Sequence, residues 1–225
     1  MRDPVERPSP NASARRGDAP IDMLVLHYTG MPTGAAALNR LCDPAAQAST
    51  HYVIEEDGTV YRLVPEEKRA WHAGLASWRG ERDVNSRSIG IELVNPGHQF
   101  IYRNFPEAQI ASLKALAEDI LGRHPIPARN VVGHSDIAPD RKLDPGERLD
   151  WRDLARDGIG LWPDAPQRLE GDLFDLLGEF GYDTGARQVV SAFQRHFRPR
   201  NVDGIADDET LEMLGGCIAA IRKSG

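Results

Sequence analysis

Apolar residues along this chain fall into short solid blocks and into stripes with helical spacing, and the two alternate through its first two-thirds. Residues 21–28 (IDMLVLHY) are an apolar block closed by Thr29-Gly30, which predicts a buried strand delivering His27 at its C-terminal end. Residues 51–56 and 59–64 flank Asp57-Gly58, two residues that tolerate positive φ, and predict a hairpin. Residues 88–94 (SIGIELV) predict a second buried strand, and residues 130–132 a short one running into Gly133-His134. The Ala-rich stretch 34–41 reads as a short helix. Between Pro106 and Leu121, apolar residues at 110, 113, 116, 117, 120 and 121 follow the i, i+3, i+4 rule, with Gly122 as the expected stop. From Gly133 to Pro145 the pattern is lost, and the chain reads as an Asp- and Pro-rich loop.

Beyond Trp162-Pro163-Asp164-Ala165-Pro166, a linker by composition, three more stripes appear. They are Leu169/Leu173/Leu176/Leu177, Val189/Val190/Phe193/Phe197 and Thr210/Leu211/Leu214. The expected fold class is therefore α/β: a mixed central sheet flanked by helices over residues 21–163, then a small all-α three-helix module over 164–225. A core of about sixty residues is marginal by itself. Residues 1–20 carry four prolines, mixed charge and no apolar run, and are expected to be a flexible arm.

Composition narrows the function. The 225 residues fit one large domain or a domain plus a module. Lys and Arg number 27 against 34 Asp and Glu, a net charge of −7, which argues against a bulk grip on nucleic acid or anionic lipid. No apolar run approaches the ~20 residues of a membrane span. The first twenty residues contain no apolar leader core, so a cytoplasmic setting is expected, or a periplasmic one if a leader has been removed. Cys42 and Cys217 form no CxxC pair and no disulfide framework. Cys42 has no base beside it and reads as a buried thiol.

The candidate chemistry sits where strands end. His27, His134 and Asp144 are two imidazoles and a carboxylate, a donor set that suits zinc with a fourth position left open. On spacing alone, solvated or core-satisfied histidines explain the same residues, since seven His offer many triples.

Longer motifs say more. The block 133–146 (GHSDIAPDRKLDPG), with Leu26-His-Tyr-Thr29, Arg69-Ala-Trp-His-Ala-Gly74 and Ser88-Ile-Gly-Ile-Glu-Leu93 in order, resembles the AmpD-like N-acetylmuramoyl-L-alanine amidases of the amidase-2 and peptidoglycan-recognition-protein superfamily. The likeness spans roughly residues 21 to 160. It implies a zinc enzyme (Zn2+ on His27, His134 and Asp144) that cuts the amide between N-acetylmuramic or anhydromuramic acid and L-alanine of peptidoglycan stem peptides. It also implies a general acid/base role for Glu92 and oxyanion stabilisation by Lys142. In an extended segment Lys142 and Asp144, two residues apart, share a face.

Trp71, His72, Ala73, Asn85, Arg87 and Ser88 are expected to line or contact the substrate, with Arg87 a partner for a peptide carboxylate. His51 is expected to be structural, and Asp136 and Asp140 to cap turns. The C-terminal stripes, with Phe193-Gln-x-x-Phe197 and Asp203-Gly-x-x-Asp207, are similar to a three-helix peptidoglycan-binding module. Its Arg195, His196, Arg198 and Arg200 form a basic cluster that suits either anionic muropeptides or a solvated helix end. The expected partners are muropeptides or peptidoglycan, with the activity used in muropeptide recycling. The alternatives are a wall-hydrolysing amidase acting outside the cytoplasm and a non-catalytic peptidoglycan-binding or sensing protein. A peptidase acting within the stem peptide is a third.

Overall fold

The computed structural model describes residues 3–17 and 20–223. Its first departure from expectation is at the start of the chain. The described part of the expected flexible arm forms two short strands, β1 (Val5–Glu6) and β2 (Ala12–Ala14). Side chains tie it to distant backbone. The buried Asn11 donates from Nδ2 to the carbonyls of Asp43 and Ala48 at 2.8 and 2.9 Å. Arg15 donates to the carbonyls of Glu66, Asn85, Ser86 and Ser88 at 2.9 to 3.2 Å. Local composition carries no sign of these bonds, because every partner lies more than thirty residues away. Residues 1, 2, 18 and 19 of the expected arm lie outside the described residues.

β3 (Met23–Tyr28) is buried along almost its whole length, as a central parallel strand should be. After it come α1 (Gly34–Leu41), the hairpin strands β4 (Tyr52–Ile54) and β5 (Val60–Arg62), and β6 (Lys68–Ala70). Thr33 caps α1 by accepting the Ala36 N–H at Oγ1, 3.1 Å away. A short α2 (Val84–Arg87) leads into β7 (Ser88–Leu93). α3 (Glu107–Arg123) places Glu107 in its first turn and Arg123 in its last, the favourable sense for the helix dipole, and it runs through the expected stop at Gly122. β8 (Val131–Gly133) passes directly into α4 (His134–Ile137), one turn of helix inside the expected loop. α5 (Trp151–Arg156) closes this part of the chain.

The main sheet has the order β1-β5-β4-β7-β3-β8. β3 pairs in parallel with β7 and β8, and β4 pairs antiparallel with β5, so the sheet is mixed and flanked by helices, as expected. β2 and β6 form a separate antiparallel pair. Side chains alternate across β3. Leu24 and Leu26 pack with Leu113, Leu116, Ala117 and Ile120 of α3, whereas Met23 and Val25 face the other way. His27 continues the second face.

On that second face lie the C-terminal helices α6 (Leu173–Phe180), α7 (Val189–Phe197) and α8 (Asp208–Lys223). Phe180, Phe193, Phe197, Leu214 and Ile218 join Met23, Val25, Trp78, Val132 and Ile137 in one continuous apolar cluster. Full burial of each such side chain contributes roughly 1.5–3 kcal/mol, so a module with a marginal core of its own is stabilised by packing on the sheet. Gly181 permits the approach. Its φ is +142°, and a Cβ there would lie 2.9 Å from the Trp78 ring. Among the described residues, no helix is long and apolar enough to cross a membrane.

Candidate metal centre and cleft

Parallel pairing brings the key side chains together. Leu26 of β3 lies opposite Gly133 of β8, so His27 and His134, the next residues, emerge side by side at one end of the sheet. His27 also lies opposite Glu92 of β7, which puts these two side chains on the same face. The Ser135 N–H donates to the Asp144 carbonyl at 2.8 Å and folds the loop after α4 back onto the site. Nδ1 of His27, Nδ1 of His134 and Oδ2 of Asp144 form a triangle with edges of 2.9, 3.0 and 3.0 Å, and all three residues are buried.

The other ring nitrogens show where the protons are. The Ser88 hydroxyl donates to the Val84 carbonyl at 2.6 Å, so its oxygen is free to accept from His72 Nε2 at 3.1 Å. Nδ1 of His72 then has only a lone pair, and accepts from His27 Nε2 at 3.1 Å. On the other side, His134 Nε2 donates to the Ala73 carbonyl at 3.0 Å. In neutral rings both Nδ1 atoms of the triangle thereby present only a lone pair. Burial pushes the His27 pKa down to about 4, which keeps the imidazole neutral. Two imidazole nitrogens and a carboxyl oxygen thus face one another at about 3 Å, a donor set that suits a cation.

A cleft of about 500 Å³ opens on this triangle, lined among others by Tyr28, Trp71, His72, Glu92, His134, Lys142 and Asp144. Glu92 Oε2 is enclosed and, among the described residues, has no hydrogen-bond partner. Burial, and after it the charge of Asp144, raise the Glu92 pKa well above the usual carboxylate range, with Lys142 opposing. The arrangement offers a carboxyl that exchanges a proton, a cation site and an ammonium in one cleft.

Other expected site residues lie elsewhere. Trp71 lines the cleft and donates from Nε1 to Ser13 Oγ at 3.2 Å. His72 lines the cleft but is chiefly committed to the proton relay just described. It packs flat over Gly90, where a Cβ would fall 2.6 Å from the ring. The buried Ala73 faces His134 through its carbonyl, and the buried Asn85 accepts the N–H groups of His72 and Ala73 at Oδ1, 3.1 and 2.9 Å away. Both residues support the site from behind instead of contacting the cleft. Arg87 is corrected more strongly. It forms a fork with Asp22 at the opposite end of β3 and β7, far from any substrate carboxylate in the cleft. His51 is structural, its Nδ1 accepting the Gly90 N–H at 3.0 Å.

Cys42 is half-buried, not fully buried, and its Sγ contacts the Arg7 carbonyl of the N-terminal segment at 3.7 Å. Asp136 does accept the Gly133 N–H as a turn-capping residue would, but it also bonds to the helical module, and Asp140 accepts the Gln188 N–H at 2.8 Å. Arg195, His196 and Arg198 of the expected surface cluster are buried, and Arg200 alone is exposed. Arg198 turns inward because Asp203, Asp207 and Glu209 surround it.

Sequence reasoning missed Arg15 and the cleft wall in which Tyr28 Oη meets His98 Nδ1 at 2.9 Å and His98 Nε2 meets Glu147 at 3.0 Å. No local signal marks either, since the partners are 36 to 73 residues apart.

Comparison with known proteins agrees with this geometry. Residues 17–147 match the family described as N-acetylmuramoyl-L-alanine amidase, and residues 178–214 match a putative peptidoglycan binding domain. The amidase AmiD of Escherichia coli K12 is 41% identical over 223 residues, covering 84% of this chain and 79% of its own. The 1,6-anhydro-N-acetylmuramyl-L-alanine amidase AmpD of the same organism is 36% identical over 161 residues, covering 64% of this chain and 86% of its own. Among solved structures, E. coli AmiD in complex with anhydro-N-acetylmuramic acid-L-Ala-D-gamma-Glu-L-Lys superposes with a TM-score of 0.80 at 38% identity, over 92% of each chain. AmpDh3 of Pseudomonas aeruginosa gives 0.82 at 35% identity, over 93% of this chain and 96% of its own. With its mixed sheet, its donor triangle and these relatives, the chain belongs to the N-acetylmuramoyl-L-alanine amidase family.

Proposed function

We propose that this protein is a zinc-dependent amidase that hydrolyses the amide between the lactyl group of anhydro- or N-acetylmuramic acid and L-alanine, on soluble muropeptides in recycling. The observation that carries the reading is the tight triangle of His27 Nδ1, His134 Nδ1 and Asp144 Oδ2 beside the enclosed Glu92 Oε2. Two nitrogens and one oxygen with an open side suit catalytic zinc. Bound there, zinc supplies Lewis acidity to the scissile carbonyl and to the attacking water.

The chain's own residues do the rest. Glu92, whose raised pKa makes its carboxylate a stronger base, takes a proton from the attacking water and returns it to the leaving amine of L-alanine. The Lys142 ammonium, on the same cleft, offsets the negative charge that develops on the carbonyl oxygen. Enclosure of the cleft strengthens both interactions relative to bulk water. That AmiD and AmpDh3 were solved with anhydromuramyl peptides supports the substrate class.

Mass spectrometry of a muropeptide digest tests the proposal. Free stem peptide beginning with L-alanine, released by the zinc-loaded protein and not after chelation, is the expected product. Cleavage within the stem peptide, or none by the zinc-loaded protein, refutes it.

A further inference from the structure

α7 is buried on nearly every side, polar residues included. Its His196 donates from Nδ1 to Asp136 Oδ2 at 2.7 Å, and Tyr182, which follows α6, donates its hydroxyl to Asp136 Oδ1, also at 2.7 Å. Asp136 Oδ2 further accepts the Gly133 N–H at 2.7 Å. Gly133 and Asp136 bracket His134, and both belong to the segment that opens α4. The His196 ring is stacked between Trp151 and Phe197, with centroids 3.8 and 4.0 Å away. Asp136, Tyr182 and His196 are all buried. Two further contacts run the same way. Gln188 donates its N–H to Asp140, on the loop joining His134 to Asp144, and Arg195 brings Nε to 3.9 Å from Glu147, which holds His98 against Tyr28.

A four-residue helix has no stability of its own, so its orientation is set by whatever grips its ends. Here the grip is the Asp136 carboxylate, and two of its three donors come from the helical module. Buried hydrogen bonds to a charged acceptor are strong and directional, and they lock an element in one pose. A module serving only to tether the enzyme to its polymer would keep such polar groups at its free surface. This one turns them onto the segment that carries a ligand histidine.

We propose that Tyr182 and His196 of the helical module are positioning residues of the amidase site: through Asp136 they hold the His134 imidazole in its ligating pose. This rests on the metal-centre reading above. The module is then part of the active-site support, whatever else its outer surface binds.

The test uses the full-length protein carrying Tyr182→Phe and His196→Phe together, which keeps the aromatic packing and removes both donors. Zinc affinity is measured by competition with a chromogenic chelator, at a temperature where circular dichroism shows wild type and variant equally folded. Kinetics on an anhydromuramyl tripeptide are measured alongside. Removing groups that orient a metal ligand typically weakens metal binding or activity about 10- to 100-fold. The expected result is a loss of zinc affinity in that range, with kcat reduced and KM nearly unchanged.

A lowered Tm with wild-type zinc affinity and kcat overturns the proposal, as does a change confined to KM, which would mark the module as a substrate-binding surface only. Should the double variant not fold, Tyr182→Phe alone serves, with severalfold faster zinc release to the chelator expected and unchanged release overturning the proposal. Wild-type protein that binds no zinc would refute the metal-centre reading itself, whereas zinc-binding wild type with unaffected variants refutes only the positioning role.

Discussion

His27 donates its Nε2 proton to Nδ1 of His72 at 3.1 Å, and this bond decides which nitrogen of His27 faces Asp144. The direction of the bond is set further back, where Ser88 donates to the Val84 carbonyl and accepts from His72. Removing the start of the relay should therefore be felt at its end. Ser88→Ala is expected to weaken zinc binding severalfold, and His72→Ala on the order of 10- to 100-fold, the range known for groups that fix a ligand tautomer. Chelator competition on purified protein measures both.

His51 makes stability depend on pH. Burial, and after it the Arg15 guanidinium 3.1 Å from Nε2, push its pKa down to about 3. The unfolded chain takes up this proton near pH 6.5, but the folded protein does not until about pH 3. The unfolded state thus binds more protons between those values, and stability must fall as pH is lowered through that window. The contribution of His51 is about 1.4 kcal/mol per pH unit. His27, lowered to about 4, acts in the same sense. Urea unfolding of wild type and His51→Gln at several pH values between 4 and 7 isolates the residue. The variant is expected to lose stability less steeply on acidification, and parallel slopes would contradict the assignment.

Arg15 pins the N-terminal segment that precedes β3. Its guanidinium satisfies four carbonyls, three of them in the segment 85–88 that supports His72. Arg15→Ala leaves those carbonyls without their donor, and a loss of about 2–4 kcal/mol is expected. For a chain of this size that corresponds to a fall in Tm of roughly 4–16 °C. Calorimetry checks it.

The sheet strands, and the residues that the structure gathers into the candidate metal centre, were legible because their signals are local. An apolar block ending in His27 and the motif that carries His134 and Asp144 need no knowledge of the rest of the chain. Glu92 was singled out by the resemblance, on the strand SIGIEL, and in the structure it sits in register with His27. What escaped depends on partners distant in sequence. Arg87 looks like a substrate contact until Asp22 is seen beside it, 65 residues away. The basic cluster of α7 looks solvated until Asp136 is found 60 residues back, bonded to His196. The Pro-rich start reads as an arm because the carbonyls that hold it belong to other elements.

The central claim is a division of labour, with His27, His134 and Asp144 holding the metal and Glu92 moving the proton. Zinc content and product release, measured on the same preparation of Glu92→Ala, separate the two roles. The account expects one zinc per chain, as in the wild type, with muropeptide turnover lowered by at least about 100-fold. Zinc lost along with activity, or turnover retained, would contradict it.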